Sequence, residues 1–306
     1  MIVFNGATGG IGRHLGPRLV ASGRPHLVLE TRLEHSADLT AELSSLPQGA
    51  SGTPIALVHL AAMVSVPRCE ADPELARSVN VDWTASYIRA FIDWSLRRGY
   101  RPSVVYVSTG HVYAAPEPGV RVREMDAVFP RSVYAKTKLE AEGALGEMAT
   151  QLEVQLTVAR VFGLVAPAQP PHYVLPALIA RVQHADVDGI PGLDNVRDYL
   201  DARDVARHLG DLADWSVRSS PGVMVVNVCS GVGIRIRDLV DMIIDTVYEG
   251  DGERAESVRR SISGRPGRPT DVTWLVGCPG RQQHLTGVAP CQISLGETIR
   301  DAVAVS

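Results

Sequence analysis

The sequence predicts an α/β fold, a doubly wound parallel sheet with a smaller region interleaved into its C-terminal part. Three observations carry this. Short β-type apolar runs alternate with helical stretches up to Gly163, those runs are nearly continuous in Val, Ile and Leu, and a glycine-rich turn follows the first of them. Parallel neighbours need a crossover that returns the chain to the same edge, and a helix makes one. Strands covered on both faces have no polar side to alternate with, so unbroken apolar runs fit a buried parallel sheet.

In order, strands are expected at Ile2 to Phe4, His26 to Leu29, Ile55 to Leu60, Val104 to Ser108 and Val154 to Val161. Helices are expected at Ile11 to Ser22, Asn80 to Arg98 and Ser132 to Met148. After Gly163 the texture changes: Ala166 to Tyr173 is proline-rich, and Pro171, Pro176 and Pro191 break up the helical signal. Val223 to Val228 reads as one more strand returning to the sheet. The expected division is therefore residues 1–163, with the returning strand near 223–228, and a second region over 164–306.

Composition narrows the function classes. With 306 residues, 45% hydrophobic and 21% charged, the chain can bury a sizeable core. A net charge of -4 offers no general attraction to nucleic acid or anionic lipid, and neither is expected as a partner. Cys69, Cys229, Cys278 and Cys291 are scattered without a CxxC pair, so no metal site and no disulfide framework is expected. No apolar run approaches the ~20 residues of a membrane span, and the N-terminus lacks a signal-peptide layout. A soluble, cytoplasmic protein is expected.

The turn Gly6-Ala7-Thr8-Gly9-Gly10-Ile11-Gly12 joins the first strand to the first helix, the context of a dinucleotide-binding, Rossmann-like fingerprint. Its glycines permit a tight turn and close backbone approach to a pyrophosphate at the positive helix N-terminus, which assigns Gly6, Thr8, Gly9, Gly10, Ile11 and Gly12 to cofactor. Glu30, 18 residues after Gly12, would accept hydrogen bonds from the adenosine ribose and favours NAD(H). Arg13 and Arg32 favour the 2′-phosphate of NADP(H). The reading is NAD(H) or NADP(H), inclined to NAD(H).

Tyr134-Ala135-Lys136-Thr137-Lys138 places a phenol and an ammonium at i and i+4 on one helix face. A free phenol, with a pKa of about 10, is a poor acid or base at neutral pH, and an adjacent cation stabilises its anion. Lys136 and Lys138 are the only lysines among 30 basic residues, which makes a chance placement in this motif a weak account.

The glycine spacing and the YxxxK motif resemble the extended short-chain dehydrogenase/reductase family, the NAD-dependent epimerase/dehydratase type. That resemblance runs along nearly the whole chain. It implies that His59-Leu60-Ala61-Ala62 lies by the cofactor, with Leu60, Ala61 and Ala62 touching it and Met63 touching substrate; from the residues alone His59 reads as a buried strand-end histidine. It implies that Thr109, 25 residues before Tyr134, steadies the substrate oxygen while Tyr134 moves the proton and Lys138 tunes Tyr134 and binds cofactor. His111 falls where some relatives keep an acid/base residue, and is equally a positioning imidazole. It touches substrate in either role. Arg197-Asp198-Tyr199 and Arg268-Pro269-Thr270-Asp271 resemble segments whose arginines approach the substrate's diphosphate; without the resemblance, Arg197 and Asp198 read as a local ion pair. The resemblance also implies a homodimer through the helices starting near Asn80 and Ser132.

Two departures bear on the reaction. The Asp-Glu pair that follows the Thr in the family's sugar 4,6-dehydratases is Gly110-His111 here, and the Asn found after Arg-Val-Phe in many relatives is Gly163. The segment Val66 to Ala76 is similar to nucleotide-diphospho-4-keto-6-deoxysugar reductases. The expected activity is reduction of a nucleotide-linked 4-keto sugar, with a 4-epimerase or atypical dehydratase that recycles bound NAD as the alternative. A non-catalytic dinucleotide-binding subunit ranks below both, because Thr109, Tyr134 and Lys138 are all present.

Overall fold

The computed structural model describes residues 1–267 and 271–306. Arg268, assigned above to substrate, lies outside the described residues, as do Pro269 and Thr270. In chain order the first half runs β1 (Ile2–Phe4), α1 (Gly12–Ala21), β2 (His26–Val28), α2 (Leu39–Leu43), β3 (Thr53–His59), α3 (Val66–Ala71), α4 (Pro73–Arg77), α5 (Thr84–Arg97), β4 (Tyr100–Thr109), α6 (Val133–Gln151) and β5 (Gln155–Val161). The second half adds β6 (Gly163–Val165), α7 (Val174–Gln183), β7 (Ile190–Pro191), β8 (Val196–Asp201), α8 (Ala202–Ser216), β9 (Gly222–Val228), β10 (Gly233–Arg235), α9 (Ile236–Val247), α10 (Gly252–Arg260), β11 (Gly264–Arg265), β12 (Trp274–Leu275), α11 (Gly280–Thr286) and α12 (Leu295–Val303).

The expected doubly wound sheet is present: six parallel strands in the order β2-β1-β3-β4-β5-β9. The strand that the sequence brought back to the sheet, β9, pairs with β5 along its whole length. The order reverses between β1 and β3, and such a reversal opens a crevice at the carboxyl ends of the strands. The glycine turn, residues 60–62 and Thr109 all leave strands at that edge.

Both faces are covered. On one, Leu15 and Leu19 of α1 and Leu209 and Leu212 of α8 are buried against Phe4, Val58 and Val105. On the other, Tyr87 and Phe91 of α5 and Leu145 of α6 pack on Leu57, Val104 and Leu156. Each such side chain contributes roughly 1.5–3 kcal/mol by leaving water. Because α8 follows β8 in sequence yet covers β3 to β5, the two halves of the chain share one core. A second cluster joins Leu175 and Ile179 of α7, Leu239 and Ile243 of α9 and Ile299 of α12 beside β8.

Two expectations need correction. The helix expected from Asn80 begins instead as a π turn over Ser78–Trp83 before α5. Asn80 is drawn inward to bond Met63 and Thr137, and the Thr84 hydroxyl bonds Val79 O five residues back, so the ladder widens locally. Pro176 does not interrupt a helix either. It lies in the first turn of α7, where the backbone N–H that proline lacks has no helical partner to lose.

Candidate active site

The glycine turn is held by Asn5, a residue with no motif around it in the sequence. Its buried Oδ1 accepts from Leu60 N at 2.8 Å and Ala61 N at 3.1 Å, while Nδ2 donates to His59 Nδ1 at 3.0 Å. The ends of β1 and β3 are thereby locked together. His59 is neutral: burial first, then the Lys138 cation, push its pKa down to about 3. With Nδ1 accepting from Asn5, its Nε2 faces Thr84 Oγ1 at 3.3 Å. His59 is thus the buried strand-end histidine its residue context suggested.

Gly6 has φ +69°, and a Cβ on it would stand 3.0 Å from Ala61 N. A Cβ on Gly12 would stand 2.1 Å from Gly6 O, an overlap no adjustment of a side chain relieves. These glycines let the backbone fold back over the start of α1. That first turn carries no acidic residue and no side-chain cap, while Arg13 N and His14 N bond back to Gly9 O and Ile11 O. The cradle fits a pyrophosphate: Gly6, Thr8, Gly9, Gly10, Ile11 and Gly12 would hold it, and the nicotinamide end would extend past Leu60, Ala61 and Ala62 towards Lys138. Glu30 and Arg32 both lie just beyond β2 and are exposed or partly so. Arg13 donates to Gly9 O and Ala168 O, bridging the turn to the proline-rich segment.

Thr109, Tyr134 and Lys138 come together. Thr109 is 4% exposed at the end of β4, accepts from His111 N at 3.2 Å and lies beside the Tyr134 phenol. Ser132 caps α6 by accepting from Ala135 N, which fixes where Tyr134 and Lys138 begin their shared face. Burial raises the Tyr134 pKa above that of a free phenol, and the neighbouring Thr109 hydroxyl opposes this. The phenol is therefore protonated at neutral pH. Lys138 is 3% exposed, its Nζ 4.2 Å over the Tyr106 ring. Burial pushes its pKa down to about 7, with Glu142 pulling the other way. Met63 belongs to the buried cluster beneath Val133 and Tyr134, with Cys69 and Ala76.

A depressed lysine pKa opposes folding at neutral pH. The unfolded chain keeps its proton up to about 10.5 and the folded chain sheds it near 7, so stability rises as pH climbs between those values. Lys138→Met is accordingly expected to raise the thermal midpoint of the cofactor-free protein below pH 7, an advantage that shrinks towards pH 10, while activity is lost. A lower midpoint at pH 6.5 in scanning calorimetry would contradict the burial argument.

Beneath the triad lies an ion pair that the sequence did not disclose. Arg160 on β5 bonds Glu142 through Nη2 at 2.6 Å and through Nε at 3.1 and 3.2 Å, both side chains being buried. Ser108 donates to the same carboxylate, and the Arg160 guanidinium lies 4.7 Å over the Tyr113 ring. Glu142 is four residues beyond Lys138, a spacing visible in the sequence had the YxxxK pattern been extended one more turn.

On the substrate side, His111 follows Thr109 in the turn after β4 and is an exposed residue, though protein packs around its ring. That enclosure, then the Arg197 cation, push its pKa down to about 4 against a smaller upward pull from Asp271. It is a neutral imidazole at pH 7. Arg131, next to Ser132, lines a small recess with His111, Tyr113 and Val272. Arg197 and Asp198 do not pair. As successive strand residues they point to opposite faces; Asp198 accepts from Ser230 N and Oγ, Gly231 N and Gly277 N, leaving Arg197 beside His111 and Asp271.

The two glycine departures have steric causes. A Cβ at Gly110 would sit 3.0 Å from three atoms of the Phe162 ring, and one at Gly163 would sit 2.6 Å from Asp198 O. Phe162 thus fills the space an acidic side chain would need after Thr109, and β6 lies too close to β8 for an Asn at 163. Among the described residues no group of His, Cys, Asp and Glu could hold a metal ion, and no helix is long and apolar enough to cross a membrane.

A glycine cradle at a sheet's switch point, followed by a Thr-Tyr-Lys set at the same edge, defines a dinucleotide-dependent oxidoreductase class. The chain belongs to the NAD dependent epimerase/dehydratase family, whose model matches residues 2–227. It is 28% identical over 285 residues to GDP-6-deoxy-D-mannose reductase of Pseudomonas aeruginosa, covering 89% of this chain and 90% of that one. It is 27% identical over 303 residues to dTDP-4-dehydrorhamnose reductase of Mycolicibacterium smegmatis, covering 99% and 85%. Among solved structures, RMD from Pseudomonas aeruginosa complexed with NADPH superposes with a TM-score of 0.80 at 25% identity, covering 99% and 97%. UDP-glucose 4-epimerase from Thermus thermophilus with NAD has the same fold, TM-score 0.80 at 23% identity over 99% and 97%.

Proposed function

We propose that this chain is an NAD(P)H-dependent reductase of a nucleotide-diphosphate 4-keto sugar, most fittingly a 4-keto-6-deoxy sugar. The observation that carries the reading is the gathering of Thr109, Tyr134 and Lys138 beside the glycine cradle, with Gly110 and His111 in place of a dehydratase's acid pair. Two relatives matched over most of their length, GDP-6-deoxy-D-mannose reductase and dTDP-4-dehydrorhamnose reductase, support it by name. Residues 1–163 with β9 hold the cofactor, and 164–306 supply most of the substrate side.

The bound cofactor supplies the hydride. Thr109 and Tyr134 hold the keto oxygen between two hydroxyls, which aligns the carbonyl and stabilises charge growing on that oxygen. Tyr134, protonated at neutral pH, gives its proton to the oxygen. Lys138 stabilises the phenolate left behind and restrains the cofactor. Neutral His111 orients the sugar through a hydrogen bond, and Arg197 meets the diphosphate. A homodimer through α5 and α6, in the cytoplasm, completes the reading.

The test is an incubation with GDP- and dTDP-linked 4-keto-6-deoxy sugars and NADH or NADPH, following nicotinamide absorbance and sugar products together. Loss of reduced cofactor in step with a new deoxysugar is expected. Unchanged absorbance with an epimerised or dehydrated product would replace this reading with the recycling-NAD alternative.

A further inference from the structure

Relatives of this chain have been solved with NADPH and with NAD, so the choice of 2′-phosphate is made by each chain's own residues. In a doubly wound sheet the adenosine ribose meets the end of the second strand. Here that end is Glu30-Thr31-Arg32, and three of its donors are already taken. Glu42, reaching across from α2, accepts from Glu30 N at 2.6 Å through Oε1, and from Thr31 N at 3.0 Å and Thr31 Oγ1 at 2.6 Å through Oε2.

We propose that Glu42 is a specificity-determining residue, an internal carboxylate that occupies the donor set a 2′-phosphate needs and thereby selects NAD(H). The inference rests on the cofactor site assigned above and adds a residue to it. A phosphate and a carboxylate compete for the same kind of site, two or three converging N–H and O–H donors. A 2′-phosphate brought to this strand end meets the charges of Glu42 and Glu30 with the N–H groups of Glu30 and Thr31 and the Thr31 hydroxyl already bonded. The cation of the strand end itself, Arg32, is 78% exposed and 3.7 Å from Glu34, solvated and shared. A 2′-hydroxyl, by contrast, needs an acceptor at this point, and Glu30 offers one. Glu42 lies 12 residues beyond Glu30 on a separate helix, so strand-end inspection of the sequence does not find it.

The test is calorimetric binding of 5′-ADP and 2′,5′-ADP to the full chain and its variants, with no turnover involved. The unmodified protein is expected to bind 5′-ADP more tightly, by on the order of tenfold, as befits loss of charge-assisted bonds. In a Glu30→Gln background, Glu42→Ala is expected to strengthen 2′,5′-ADP relative to 5′-ADP by about tenfold. Glu42→Gln, which keeps the shape of the side chain, should move in the same direction by less, and stands in if Glu42→Ala does not fold. A gap closed fully by Glu30→Gln alone, a loss of both nucleotides alike, or a 2′,5′-ADP preference in the unmodified protein would each overturn the proposal. Failure of both nucleotides to bind the unmodified protein would overturn it together with the cofactor site; binding of 5′-ADP with no response to Glu42 would overturn the proposal alone.

Discussion

Tyr134→Phe is expected to lower kcat on a 4-keto sugar nucleotide by about 10²–10⁴-fold, the usual weight of a positioned general acid, with KM and cofactor affinity nearly unchanged. The ring stays, and with it the packing on the cluster of Met63 and Cys69; only the proton donor goes. Burial keeps the Tyr134 phenol protonated at neutral pH, the state that reduction consumes. Steady-state kinetics with a parallel nucleotide titration checks this. A variant retaining more than about a tenth of its kcat would remove Tyr134 as the proton donor.

The second large effect is on stability. Arg160→Met leaves Glu142 buried without its bidentate partner and is expected to destabilise the fold by about 3–5 kcal/mol in denaturant unfolding, as does breaking buried ion pairs generally. The double variant Glu142→Met, Arg160→Met is expected to recover much of that loss, because the cost lies in the uncompensated charge rather than in the missing contact. Additive losses in the double variant would show that the two residues act independently. The site gives this pair a second consequence: Glu142 pulls the Lys138 pKa upward, so its loss lets burial depress that pKa further.

What was legible in the sequence follows from which interactions are local. The strands of the parallel sheet announce themselves as apolar runs, and β9 could be returned to the sheet because Val223 to Val228 has the same texture as β4. Tyr134 and Lys138 share one helix face, and the glycine turn is contiguous. Asn5, Glu42 and the Glu142–Arg160 pair work across elements far apart in the chain, and a lone Asn, Glu or Arg carries no sign of the partner it will meet. Asn80 could not be read as the cause of a π turn without knowing that Met63 and Thr137 converge on it. The glycines at 110 and 163 were visible as departures. Their reason, the Phe162 ring and the Asp198 carbonyl, was not, because close approach between β6 and β8 leaves no trace in either segment alone.

The most direct test of the central claim follows the hydride. The protein is incubated with a GDP- or dTDP-linked 4-keto-6-deoxy sugar and reduced cofactor deuterated at nicotinamide C4, and the sugar product is analysed by mass spectrometry and NMR. The account predicts deuterium at sugar C4 in a reduced product, matched in amount by oxidised cofactor. Product formed with no deuterium gained and no cofactor consumed would contradict it.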